Sequence, residues 1–174
     1  MQLSDGSWRC RNCGDDHHGL AWSFGTDAPL TWQVTTQADR DAGELTNDQC
    51  VVTLDGVVSY YVRANIELEV VDAPGRIFSW SVWISLSEAS MTIVHENWNN
   101  PDRASMETRF GWVNTMLPYE QPTVGLASMM HSREPGKVGY LHLDPSADHP
   151  LVHEQLNGIT IHRVAELNEL SARG

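Results

Sequence analysis

The stretch Cys10-Arg-Asn-Cys13-Gly14 has the spacing of a zinc knuckle. Two thiolates three positions apart can reach one ion from a tight turn, and the glycine lets backbone amides point at the sulfurs. Zinc takes four ligands, and Cys50 and His17 are the candidates for the remaining two positions. A shell made entirely of protein leaves no place for water, so the metal would be structural and its binding coupled to folding. The expected cofactor is therefore one structural zinc on Cys10, Cys13, Cys50 and His17. This requires the Cys10 and Cys13 sulfurs to lie within about 5 Å of each other. The alternative is a pair of partly exposed thiols, with Cys50 buried as a small hydrophobe. No βαβ pattern surrounds the pair, which counts against a thioredoxin-like redox role.

Other residues could also do chemistry. His149 and His153 fall four apart on an expected helix with Glu154 beside them, but the pattern is not His-Glu-x-x-His. A solvated helix face fits better, with His149 capping or hydrogen-bonding and Asp148 orienting its ring. Cys50, His17 and His149 could form a zinc- or thiol-dependent catalytic cleft, the rival enzymatic reading. Neither Gly-x-Ser-x-Gly, a Walker loop nor Gly-x-Gly-x-x-Gly occurs, so serine hydrolases and nucleotide binders lose their usual support.

The elements that must position these residues follow from periodicity. Thr36-Gln-Ala-Asp39 starts a short helix that ends near Gly43. Asp55-Gly56 supplies the turn of a hairpin after the apolar run Cys50 to Leu54. Val58, Tyr60, Val62, Ala64, Ile66, Leu68 and Val70 alternate with polar residues, and Phe78, Trp80, Val82, Ile84 and Leu86 repeat the pattern after Asp72-Ala-Pro-Gly75. These two runs should be antiparallel neighbours, with Trp80 in the core and Trp83 on the opposite side. The polar face, with Tyr61, Arg63, Asn65, Glu67, Glu69 and Trp83, is a candidate recognition surface in which Arg63 and Trp83 are the anchors. Its alternative is a solvated or helix-covered face with Arg63 in an internal ion pair.

Ser87 caps a helix running to about Trp98, and residues 99–122 hold a charged loop and the Phe110-Gly111-Trp112 element. Val124 to Ser132 and Val138 to Leu143 are strands. Asp148 or His149 opens a short helix that Asn157-Gly158 closes, and a last amphipathic helix carries Val164, Leu167 and Leu170. The expected class is α+β, a mainly antiparallel sheet of about five strands with short helices packed on it. The 174 residues are expected to form a single domain, with an irregular N-terminal segment over residues 1–32.

Composition narrows the partners. Acidic residues outnumber basic ones 23 to 11, a net charge of −12. That field repels nucleic acid and anionic membranes, and it points instead to a basic protein partner. Ten of the eleven basic residues are Arg, and seven Trp are present, a pairing suited to stacking and bidentate contacts. The opening MQLSDGSWRC lacks the apolar core of a signal peptide, so a cytoplasmic protein is expected. In a reducing compartment, closely spaced thiols are metal ligands more often than a disulfide framework.

Several ordered motifs resemble one family. They are Cys10-x-x-Cys13-Gly14-x-x-His17-x-Gly19-Leu20, Ser23-Phe24-Gly25, Leu45-Thr46-x-Asp48-x-Cys50-Val51, Trp80-x-Val82-Trp83-Ile84-Ser85-Leu86-Ser87, Phe110-Gly111-Trp112 and Asp148-His149-Pro150-Leu151. Over about residues 10–165 the chain is similar to the bacterial family catalogued as domain of unknown function 2199. The resemblance implies one intact domain and assigns no activity, substrate or partner. The chain departs from that pattern at Lys137-Val138-Gly139, where the family tends to carry Arg-Pro, and at His153, where it tends to be apolar. Taken together, the residues favour an acidic, non-enzymatic binding domain of inhibitor or immunity type, with Arg63, Trp83, Asp148 and His149 as binding residues. A structural subunit of an oligomer is the third class.

Overall fold

The structure is a computed structural model that describes residues 7–10 and 12–172. The opening residues Met1 to Gly6, on which part of the expectation about a leader rests, lie outside the described residues.

The centre of the fold is one long hairpin. Asp55 and Gly56 both take positive φ, 51° and 78°, and turn β5 (Gln49–Leu54) into β6 (Val57–Glu69). Such a turn matches the right-handed twist of its flanking strands. β6 then pairs antiparallel with β7 (Ile77–Leu86), from Tyr60 opposite Leu86 to Glu69 opposite Ile77. Because adjacent strand residues point oppositely, Val62, Ala64, Ile66 and Leu68 share the main core with Phe78, Trp80, Val82 and Ile84. Trp83 points the other way, into a second small cluster with Cys50, Val52 and Tyr61. Both expectations for the two indoles hold. Val58 departs from its expected core position and is exposed, because the hairpin tip extends past the core.

Three further strands, β8 (Arg109–Val113), β9 (Ala127–His131) and β10 (Gly139–Leu143), continue from β7 by antiparallel pairing. β10 then pairs parallel with β6, Gly139 opposite Ala64 and Leu141 opposite Ile66. The pairings thus return to their start, β6–β7–β8–β9–β10–β6, as a closed ring of five strands. Two glycines permit the tight approaches in it. A Cβ on Gly111 would stand 2.5 Å from the Ser85 carbonyl oxygen, and one on Gly139 would stand 2.6 Å from that of His131.

β4 (Glu44–Leu45) extends the sheet beyond β5, and β3 (Ser23–Gly25) runs parallel to β7. The main sheet therefore has eight strands of mixed direction, and β1 (Trp8–Arg9) with β2 (Asp16–His17) forms a separate two-stranded sheet. This corrects the expected antiparallel sheet of about five strands, although the α+β class stands. The difference arises mainly in segments too short to show a period. β3, β4 and β8 have three, two and five residues, and β8 covers the Phe110-Gly111-Trp112 element, for which no strand was expected.

The α-helices are short, and all but the first carry a side-chain cap at the start. α1 (Leu30–Val34) precedes α2 (Gln37–Asp41), whose cap Thr36 accepts from the Asp39 backbone N–H. Ser87 caps α3 (Glu88–Glu96) in the same manner through Ser90. α4 (Pro150–Asn157) is capped by His149 and closed by Gly158 at φ 75°. α5 (Ile161–Ser171) starts at Thr160, which accepts from the Arg163 backbone N–H. Among the described residues, no helix is long and apolar enough to cross a membrane.

Candidate metal centre

The separate hairpin forms the knuckle. Trp8 pairs with His17 and Arg9 with Asp16, and the Cys10 backbone N–H donates to the Asp15 carbonyl at 2.9 Å. Cys10 and Cys13 thus sit around a tight turn, where Gly14 takes φ 77°. Trp8 and Cys10 are buried, so one side of the hairpin is seated against the body of the protein.

α5 supplies what faces it. Its first turn is fixed at both sides, with Thr160 capping it and Asp72 accepting from the Ile161 backbone N–H at 2.8 Å. Upstream, the Ile159 N–H donates to the Glu69 carbonyl, which ties the start of the helix to the end of β6. That anchorage presents His162 to the knuckle. His162 Nδ1 lies 3.6 Å from Cys10 Sγ, and His17 Nε2 lies 3.6 Å from Cys13 Sγ. The ligand atoms of Cys10, Cys13, His17 and His162 all fall within 4.8 Å of one another.

These distances suit a tetrahedral ion. Zinc bonds of ~2.3 Å to sulfur and ~2.0 Å to nitrogen give tetrahedral edges of about 3.3–3.8 Å. Two cross-pairs already have that length, and the widest separation exceeds it by about 1 Å, within reach of small rotamer changes. The two sulfurs also meet the distance the knuckle requires.

The electrostatics favour a cation. Burial works to raise the Cys10 thiol, but hydrogen bonds from the Cys13 backbone, His17, the Asn12 backbone and the Cys13 thiol outweigh it and bring it from 9.0 down to about 6. The Asn12 N–H stands 3.3 Å from Cys10 Sγ. For Cys13 a hydrogen bond from the Asp15 backbone works downward, but burial and the adjacent Cys10 sulfur raise the thiol overall. One thiolate therefore forms readily and opposes the second, which is the repulsion a divalent ion relieves.

A further carboxylate completes the arrangement. Glu166, one turn along α5, stands 3.4 Å from His162 Nε2, on the far side of the ring from the sulfurs. Its other oxygen accepts from Arg163 Nη1 at 3.1 Å. A carboxylate on the distal nitrogen fixes the tautomer and orientation of a metal-binding imidazole.

Cys50 does not join this group. It is wholly buried on β5 with Val52, Tyr61 and Trp83, where desolvation pushes its thiol up to about 12. This corrects the expected cluster, since Cys50 faces the packed side of the sheet and His162 stands fourth with Cys10, Cys13 and His17. Sequence reasoning missed His162 because it comes from the opposite end of the chain. The one local signal was the His162/Glu166 spacing on a single helix face.

The other candidate residues are placed apart. Trp83 is 0% exposed, and its indole N–H donates to the Thr26 carbonyl at 3.1 Å. Arg63 lies over that indole at 4.6 Å and donates through Nε to the Asn47 carbonyl at 2.6 Å. The sheet face expected to be open is covered at this point, so Trp83 has no surface to offer and Arg63 is engaged internally. His149 is buried, with Nδ1 accepting from the Leu151 N–H and Nε2 facing the Gln121 carbonyl. Both of its nitrogens are thus occupied. Asp148 is exposed and faces His153 at 3.3 Å, instead of orienting the His149 ring. Glu154 turns inward to accept from the Tyr119 hydroxyl and Arg163 Nε, a half-buried structural network.

Fold and site together define an α+β fold built on a closed strand ring, with a Cys/His cluster between the β1–β2 hairpin and α5. The chain belongs to the bacterial family described as "Uncharacterized protein conserved in bacteria (DUF2199)", whose model matches residues 9–159. Cys10, Cys13 and His17 fall inside the matched stretch and His162 just beyond it. No curated protein and no solved structure matches the chain.

Proposed function

We propose that the protein is a non-enzymatic binding domain of inhibitor or immunity type, locked by one structural zinc and recognising a basic protein partner. The observation that carries this is the four-membered Cys10–Cys13–His17–His162 cluster. Four protein ligands fill a tetrahedral zinc, so the ion would have no position free to activate water or polarise a substrate. Its effect would be mechanical, joining the N-terminal hairpin to the C-terminal helix.

The residues that would build the rival cleft are otherwise committed. A Cys50 thiol pushed up to about 12 stays protonated at neutral pH and is a poor nucleophile. His149 serves as a helix cap, and His17 belongs to the cluster. A net charge of −12 supports a cationic partner, since it accelerates encounter with basic surfaces and slows encounter with acidic ones.

Metal analysis combined with thermal melting tests this. One zinc per chain is expected, and a strong chelator should lower the melting temperature in a manner that added zinc reverses. Metal-free protein that melts at the same temperature with and without zinc would contradict the proposal.

A further inference from the structure

The outward face of β8, β9 and β10 carries a concentrated exposed aromatic surface. Phe110 and Trp112 are 49% and 50% exposed, and their rings meet edge to face at 5.0 Å. The register puts Phe110 opposite Met129 and Met129 opposite His142, one row across three strands. Beside it, His131 stacks flat on Tyr140 at 4.7 Å, and His142 sets its edge against both. A groove of about 470 Å³ runs between Phe110, Met129, His131, His142 and Asp144. Through His142, Leu143 and Pro145 it continues into a second of about 740 Å³ that reaches Glu67 and Glu69.

Among the described residues, acidic groups outnumber Arg and Lys along this groove. Arg133 is the cation lining it, and Glu67 takes it up at 2.8 Å. Glu69 and Asp144 are exposed, and the Ser146 backbone and hydroxyl hydrogen-bond Asp144 and keep it ionised. Within the ring β9 has neighbours on both sides, so a partner meets this surface through side chains. Exposed aromatic rings attract guanidinium and ammonium groups through their quadrupole. Arg, Tyr and Trp are also the residue types that dominate binding energy.

We propose that this face, from Trp112 across His142 to Glu69, docks an Arg- and Lys-rich segment of a protein partner. The cations lie over Phe110 and Trp112 and reach Asp144 and Glu69. This rests on the protein-binding reading above and gives it a surface in place of Arg63 and Trp83. A second copy of the chain would bring −12 against −12. Single-stranded nucleic acid, which also uses aromatic sheet faces, would bring phosphates against Asp144 and Glu69.

The test titrates the zinc-loaded full chain with an oligoarginine peptide at low salt, followed by amide chemical shifts and Trp fluorescence. Oligoglutamate and oligothymidylate are run in parallel. Saturable shifts are expected at Phe110, Trp112, Met129 and Asp144, with affinity falling as salt rises. Trp112→Ala should weaken binding about tenfold, and Asp144→Asn should weaken it and flatten the salt dependence. Both side chains are exposed, so neither variant should shift the melting temperature. Peptide binding that perturbs other surfaces and ignores Trp112→Ala would overturn this face while leaving the basic-partner reading intact. Failure of oligoarginine to bind at all would overturn both. Binding of oligothymidylate through the same rings, or dimerisation on them, would overturn the choice of occupant.

Discussion

Cys10 Sγ and His162 Nδ1 stand 3.6 Å apart although 152 positions separate them in the chain. A second tie runs alongside, the Asn168 side-chain amide donating to the Ala21 carbonyl and accepting from the Ala21 N–H. The N-terminal segment is therefore held against α5 at two places, one by ordinary hydrogen bonds and one by the cluster. Joining such distant positions restricts the unfolded chain most, which makes this closure effective for stability.

His162→Ala should abolish stoichiometric zinc binding and lower the melting temperature. Glu166→Gln should retain zinc with about 10–100-fold weaker affinity, as expected of a group that acts through the ligand. Cys50→Ser should leave zinc content unchanged while destabilising the fold by about 1–3 kcal/mol, the cost of an unsatisfied buried hydroxyl. Zinc titration and denaturant unfolding of the three variants separate these outcomes. Loss of zinc from the Cys50 variant alone would restore the ligand set expected from the sequence.

Much of the frame was legible in the sequence because local chemistry decided it. Thr36, Ser87 and the Asp55-Gly56 turn act within four residues, and the β6/β7 alternation extends far enough to define a period. Ring closure was not legible. β8 alternates over only five residues around a glycine, and its partners are set by the approach Gly111 allows. The metal site was half legible for the same reason. The knuckle is a local motif, whereas His162 joins the cluster only when β6 and α5 are assembled.

Gly111→Ala should destabilise the fold by about 1–3 kcal/mol through overpacking. The added methyl would meet the Ser85 carbonyl oxygen at 2.5 Å and the Ile84 side chain at 3.0 Å, and backbone oxygen cannot rotate aside. Chemical denaturation checks this. An unchanged midpoint would show that β7 and β8 can separate without cost.

Tyr119→Phe should cost about 1–3 kcal/mol, because it leaves the indole N–H of buried Trp80 without its partner and removes one donor from half-buried Glu154. The hydroxyl donates to Glu154 Oε2 at 2.5 Å and accepts from the Trp80 indole N–H at 3.3 Å. Burial, together with the Glu154 carboxylate, raises this phenol above its usual range. Ultraviolet titration of the wild-type protein should accordingly show one tyrosine that stays protonated until the fold opens.

His131 should titrate below 6.5, because burial and the neighbouring His142 disfavour its charged form. A depressed folded value means that its contribution to stability is intact above the unfolded pKa and is lost as the pH falls through the folded one. His142→Ala should raise the His131 pKa by removing the neighbouring charge. Imidazole proton shifts followed against pH measure both, and an unaltered midpoint in the variant would contradict the coupling.

The zinc K-edge absorption spectrum of the purified protein reports directly on whether Cys10, Cys13, His17 and His162 form the zinc shell. Two sulfur scatterers at ~2.3 Å and two imidazole nitrogens at ~2.0 Å are expected, unchanged by Cys50→Ser, whereas His162→Ala should carry no stoichiometric zinc. A shell with three sulfurs, with a bound water in place of a histidine, or with light ligands only would contradict it.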